Sequence, residues 1–247
     1  MKVDILASGS AGNCIALTTN DSTILVDVGI AKTKVETRLL DVSILPQNIK
    51  ALLVTHAHSD HVKGIPLANK FNIPVYAAED EWKSILKVDI PLQNKFKPAS
   101  DFNIGGWYIQ AFKTHHDSFS PSGYTITDEN GFKVSICLDT GHVDEEMLST
   151  MEYSNVYIIE SNHEPNMVEA SDYPPSTKAR ILSHIGHLSN EQTADALSRL
   201  VMGVGEQIYL THLSSKNNMP ALAEMTTKRA LAKKGLKAGK HYHLTVH

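Results

Sequence analysis

Ala51-Leu52-Leu53-Val54-Thr55-His56-Ala57-His58-Ser59-Asp60-His61 is the stretch on which the reading of the fold turns. An apolar run of strand length ends where three histidines and a carboxylate crowd into six positions. A strand that stops at Val54 or Thr55 stops imposing alternation, and the turn after it can aim His56, His58, Asp60 and His61 inward. Imidazole and carboxylate suit a borderline divalent ion. His56 and His58 share parity and can bind one ion together, while Asp60 and His61 are offset to reach a second. One short turn can therefore seed a two-metal site.

Outward from that turn, the chain of 247 residues is long enough for a large core and is read as a single domain over 1–247. Apolar residues make up 42% and charged residues 20%, and no apolar run approaches the roughly 20 residues of a membrane span. Met1-Lys2-Val3-Asp4-Ile5-Leu6 runs straight into strand-like sequence without an export signal, so a cytoplasmic protein with no membrane contact is expected. Cys14 and Cys137 both sit in apolar contexts and read as core residues, not as a disulfide or a thiolate zinc site. With 23 basic against 27 acidic residues the net charge is −4, and nothing demands a long nucleic-acid groove. The basic run Lys228, Arg229, Lys233, Lys234, Lys237, Lys240 reads as a solvated helix face.

The flanking pattern supplies the architecture. Strand-like segments at 3–7, 13–18 and 22–27 are separated by the turns Ser8-Gly9-Ser10-Ala11-Gly12 and Asn20-Asp21-Ser22. A helix near 31–41, the strand 51–54, a helix near 62–71, the strand at 74–76 and a helix from Glu79 follow. Strands at 106–112, 123–127 and 132–137, with Glu129-Asn130-Gly131 as a hairpin turn, open the second half. Helices near 144–151, 175–183, 190–201 and 219–234 then alternate with strands at 156–159, 207–210 and 242–246. This order predicts an α/β protein of two sheets with helices outside, a four-layer αββα sandwich.

Other donors fall at strand ends as His56 does. Asp27 closes the third strand, Asp139 follows Ile136-Cys137-Leu138, and His212 follows Tyr209-Leu210-Thr211. After the strand 106–112 come His115 and His116, either of which can enter a site that has room for one. A carboxylate such as Asp139 can bridge two cations with its two oxygens. His184 reads as structural, and His241, His243 and His247 as a strand face or tail.

Asp27, the H-x-H-x-D-H of His56 to His61, His116, Asp139 and His212 stand in the order of the metallo-β-lactamase superfamily motifs, and the chain resembles that family over nearly its whole length. The resemblance implies that His56, His58 and His116 hold one ion, that Asp60, His61 and His212 hold the other, and that Asp139 bridges them. Asp27 would support the loop from behind the ligands. His116 is preferred to His115 because His116-Asp117-Ser-Phe-Ser-Pro121-Ser-Gly-Tyr124 resembles the third-motif region of YycJ-type relatives. Two divalent ions are expected, Zn²⁺ first and Mn²⁺ or Fe as alternatives.

Ile159-Glu160-Ser161-Asn162-His163 and Ser183-His184-Ile185-Gly186-His187-Leu188-Ser189-Asn190 separate this chain from lactamases and lactonases. The second segment resembles the extra histidine motif of tRNase Z-like and YycJ-like phosphodiesterases. A helix capped by Ser189 or Asn190 suits an anion, and His187 can steady charge on a phosphoryl oxygen or protonate the leaving group. His163 is a second candidate acid or orienting group, and Glu160 lies beside it. Ser10 and Asn13, in the glycine-rich opening turn, are candidate site-lining residues.

The implied reaction is phosphodiester hydrolysis, a metal-bridging hydroxide attacking phosphorus between ions roughly 3.5–4 Å apart, with Asp60 also orienting the nucleophile. Two subfamilies share these motifs. One is the YycJ-like DNA exonucleases; the other is the anti-Pycsar enzymes of phages and bacteria, which open cyclic mononucleotides such as cCMP and cUMP. The acidic balance and compact length favour the cyclic nucleotide, with DNA exonuclease as the alternative. A lactonase or esterase and a non-catalytic metal sensor are further alternatives. The resemblance also implies a homodimer.

Overall fold

Ile24, Leu25 and Val26 are buried on both faces of their strand, as are Ala51, Leu52 and Leu53, and this continuous burial marks both as interior parallel strands. The computed structural model describes residues 1–20 and 22–247; Asp21, in the expected turn Asn20-Asp21-Ser22, lies outside the described residues. By its packing the chain divides into two units. The first comprises Met1–Ala111, Ser118–Ser122 and Asp128–Asn130, the second Phe112–Asp117, Gly123–Thr127 and Gly131–His247.

The first unit holds a sheet in the order β1 (Lys2–Ala7), β2 (Cys14–Thr19), β3 (Ser22–Val26), β4 (Ile49–Leu53), β5 (Val75–Ala78), β6 (Gln93–Phe96). β1 to β3 pair antiparallel, and β3 to β6 are parallel neighbours. Helix α1 (Lys32–Asp41) turns Val35 and Leu39, one helical turn apart, into a core with Leu25, Leu52 and Val75. The expected helix over 62–71 is instead two short pieces, α2 (Ser59–Val62) and α3 (Leu67–Phe71). Gly64 interrupts them by donating to the Val28 carbonyl (2.7 Å), and Pro66, with no N–H to donate, starts the second piece. From Glu79 the chain makes only a 3₁₀ turn to Lys83. β7 (Asp101–Ile104) pairs antiparallel with β8 (Trp107–Lys113).

In the second unit β9 (Ser122–Thr127) pairs antiparallel with β10 (Lys133–Cys137). β10, β11 (Val156–Glu160), β12 (Glu206–Thr211) and β13 (Tyr242–Val246) then run parallel in that spatial order. Parallel neighbours need long crossovers. These carry α4 (Glu145–Met151), α5 (Pro165–Ala170), α6 (Pro175–Ile181), α7 (Asn190–Leu200) and α8 (Pro220–Lys233). The core joins Cys137, Tyr157, Ile159, Ile208 and Leu210 of the sheet to Met147, Leu197 and Leu231 of the helices. α7 begins with a capping box, the Ser189 hydroxyl accepting from the Gln192 N–H and the Gln192 side chain accepting from the Ser189 N–H. Both cysteines are buried, and burial pushes their thiols up, which leaves them unreactive core groups. Among the described residues, no helix is long and apolar enough to cross a membrane.

Candidate metal centre

In the first unit the turn after β4 sets its histidines at ligand spacing. His56 Nε2 lies 3.0 Å from His58 Nδ1, close enough for both to serve one ion. His61 Nε2 lies 3.7 Å from Asp60 Oδ2. His56 and His61 are fully buried. The carboxylate of Asp27, just past β3, accepts from the Thr55 N–H (2.9 Å), the Thr55 hydroxyl (2.8 Å) and His61 Nδ1 (2.7 Å). A proton held on Nδ1 makes Nε2 the lone-pair atom of His61, a common arrangement behind metal-binding imidazoles.

The opening loop packs against the same turn. Asn13 N–H donates to the Asp60 carbonyl (2.8 Å), and Asn13 Nδ2 donates to His61 Nε2 (3.1 Å). Asn13 therefore lines the wall of the donor cluster beside His61, while Ser10 is exposed. Gly29 is required here: a Cβ on it would stand 1.5 Å from the Asp60 carbonyl oxygen. The turn has a second support that the sequence did not reveal. Glu81, fully buried, accepts from the Ala57 N–H (2.7 Å), the Ser118 hydroxyl (2.8 Å) and the Ser120 N–H (2.6 Å). It thereby fixes the peptide between His56 and His58. Nothing in Glu79-Asp80-Glu81 distinguishes it from two neighbours that point to solvent.

In the second unit, parallel register delivers the donors to one sheet edge. Cys137 pairs with Ile159 and Glu160 with Thr211, so Asp139, Glu160 and His212 come from adjacent strand ends. The two oxygens of Asp139 face different imidazoles: Oδ2 lies 3.7 Å from His116 Nε2, and Oδ1 lies 2.5 Å from His212 Nδ1. That divergence suits a carboxylate shared by two cations. His116 Nδ1 donates to the Gly186 carbonyl (3.0 Å), leaving Nε2 toward Asp139. His115 points elsewhere, 2.7 Å from Asp144. Asp27, Asp139 and His212 share one backbone trait, φ of 57°, 46° and 55°, the left-handed region in which Asp and His are enriched among non-glycine residues. In each case the chain turns sharply as it leaves a strand.

Glu160 is the buried hub of this unit. Its Oε1 accepts from His187 Nδ1 (2.6 Å) and His212 Nδ1 (2.9 Å), and its Oε2 from the N–H groups of Thr140 (3.2 Å) and Leu188 (3.1 Å). Burial alone would raise its pKa, but the His187 and His212 imidazoles more than offset this and lower it to about 2. Burial likewise pushes His187 down, yet Glu160 and Asp139 hold it above the ordinary imidazole value. His187 Nδ1 lies 3.9 Å from Asp139 Oδ1, which places an imidazole of raised basicity beside the donor cluster. For His116 burial dominates and lowers the pKa, in keeping with a neutral ligand.

Two of the remaining candidates, Ser189 and Asn190, have structural partners. Ser189 caps α7, and Asn190 is buried and accepts from the Ser161 hydroxyl (2.8 Å). His163 is buried with its Nδ1 lacking a hydrogen-bond partner among the described residues, and burial lowers its pKa to about 4. The His and Asp clusters in both units fit a divalent metal: the donor types are right, and within each unit their spacing is that of ligands on an ion.

The profile of the beta-lactamase superfamily domain matches residues 22–213. The chain is 35% identical over 245 residues to the exodeoxyribonuclease YycJ of Bacillus anthracis, covering 97% of this chain and 92% of that protein. It is 37% identical over 246 residues to the exodeoxyribonuclease WalJ of Streptococcus pneumoniae serotype 2, covering 96% and 91%. Among solved structures it resembles the metallo-β-lactamase fold protein YhfI from Bacillus subtilis, with TM-score 0.75 and 17% identity over 99% of this chain and 95% of that one. The mixed α/β fold expected from the sequence, two sheets flanked by helices, is the fold that this similarity bears out.

Proposed function

The chain belongs to the β-lactamase superfamily, and on that premise we propose that it is a metal-dependent phosphodiesterase acting on DNA as an exonuclease. The observation that carries the reaction class is the His187–Glu160 pair, an imidazole 2.6 Å from a buried carboxylate and 3.9 Å from Asp139. An imidazole so placed can give a proton to the oxygen that leaves phosphorus, and similarity to two exodeoxyribonucleases favours that leaving group over the nitrogen of a lactam. Similarity over more than nine tenths of two exodeoxyribonucleases favours DNA over the cyclic mononucleotide that charge and length alone had favoured. The order of the two substrates expected from the sequence is therefore reversed.

In this reading His56, His58 and His116 hold one ion, Asp60, His61 and His212 the other, and Asp139 serves both. Motif order supports this, and so does the donor spacing within each unit. When bound, the ions supply Lewis-acid charge and acidify a water. The chain's own residues do the rest. Asp60 orients the attacking oxygen, His187 offers the leaving oxygen a proton from Nε2, and Glu160 orients that imidazole and favours its protonated form by accepting from Nδ1. Zn²⁺ is the first choice of ion. The two units interleave along the sequence, which supports their belonging to one domain over 1–247. A homodimer in the cytoplasm completes the proposal, and light scattering tests the dimer.

The substrate test sets linear duplex DNA beside cCMP, with and without chelator. Metal-dependent release of nucleotides from DNA ends is expected. Turnover of cCMP with DNA left intact would restore the cyclic-nucleotide reading. Full-rate hydrolysis by metal-stripped protein would remove the metal reading altogether.

A further inference from the structure

His115 is left over from the strand end that supplies His116, and it joins a second cluster in the second unit. We propose that His115, His142 and Asp144 form a separate divalent-cation site that takes a borderline ion such as Zn²⁺, with solvent completing its coordination. Donor atoms of the three side chains all lie within 4.8 Å of one another. His115 Nε2 is 2.7 Å from Asp144 Oδ2, and the His115 and His142 rings lie side by side, centroids 3.9 Å apart and 16° from parallel.

Two of the three donors are already oriented by a bond that does not use the coordinating atom, and the third is held through its backbone. His142 Nδ1 donates to the His184 carbonyl (3.1 Å), so Nε2 carries the lone pair. This repeats the support of His116 by the Gly186 carbonyl, and both histidines hang from the same loop. Asp144 spends Oδ1 on capping α4, accepting from the Met147 N–H (2.9 Å), and so turns Oδ2 toward His115. The His115 backbone is pinned from both sides, its N–H donating to the Thr140 hydroxyl (3.0 Å) and its carbonyl accepting from the Gly141 N–H (2.8 Å). Gly141 sits so close to His184 that a Cβ would stand 2.3 Å from the His184 carbonyl carbon. Two imidazoles and one carboxylate on a fixed frame, all half-buried, make an open three-donor set. An ion there would tie the turn carrying His115 to the 142–144 loop.

The inference stands apart from the proposed function, since its readout is a difference between proteins that share the main donor set. Metal-free wild type, D144N and H142Q are dialysed against Zn²⁺, and bound zinc is counted per chain. Asn at 144 keeps the α4 cap, and equal melting temperatures without zinc check that both variants fold. Wild type is expected to retain one equivalent more than either variant, whether or not the main donors hold two. In ¹⁵N spectra the His142 Nε2 resonance should move on zinc addition in wild type and stay in place in D144N. Equal zinc counts, or a His142 signal that ignores zinc, would overturn the site.

Discussion

The donor sets of the two units are built in opposite ways. In the first, His56, His58, Asp60 and His61 are neighbours along the chain, the buried carboxylate of Glu81 is spent mainly on holding backbone, and that of Asp27 is divided between Thr55 and His61. In the second, His116, Asp139, Glu160, His187 and His212 span almost a hundred residues, parallel strand register gathers most of them, and the buried carboxylates face imidazoles directly. Where the chain brings donors together, folding must still fix their direction. Where folding brings them together, direction comes with the strand ends, and charge becomes the variable. Damage to the first set should therefore appear as weakened metal binding, and damage to the second as lost chemistry, accompanied by lost metal only where a ligand itself is removed.

Five substitutions can break or sharpen that contrast. The largest effect is expected at Asp139, whose oxygens serve two imidazoles: D139N should bring turnover to background and lower bound metal, read by a nuclease assay and metal analysis. Next, H187A should lower kcat by about 10²–10⁴-fold with metal content unchanged. A parallel loss of metal would mean that His187 is a ligand and that the contrast is drawn in the wrong place. In the first unit, D27N and E81Q should each cost about 10–100-fold in metal affinity, and added metal should restore kcat. A kcat deficit that saturating metal cannot repair would erase the distinction. The smallest effect concerns His163, whose pKa is lowered to about 4 by burial, with Glu160 raising it and His187 lowering it further. The unfolded chain binds this proton more readily, so His163 erodes stability as pH falls from about 6.5 toward 4. H163N should flatten that part of the denaturant-midpoint profile.

Both the strands that carry the site and the turn between Thr55 and His61 were legible in the sequence, because burial on both faces writes itself as unbroken apolar runs. The split of the helix expected over 62–71 was not, since it follows from Gly64 binding the Val28 carbonyl, a contact across the fold. β6 (Gln-Asn-Lys-Phe) and β7 were missed because edge segments with polar side chains carry little pattern. Residue type and spacing leave His115 and His116 alike, and only a resemblance preferred His116; in the structure Asp144 and Asp139 face different ones. Glu81 had no signal at all: its partners are two backbone N–H groups and a serine, which leave no mark on residue type.

The left-handed backbone at Asp27 and Asp139 has a further consequence for how this chain can change over generations. Asparagine accepts that conformation as readily as aspartate. A single amide in place of an acid would then keep the turn, the strand exit and the packing while removing the charge on which the chemistry depends. The scaffold can outlive its activity, and folded but silent descendants of this sequence lie one substitution away.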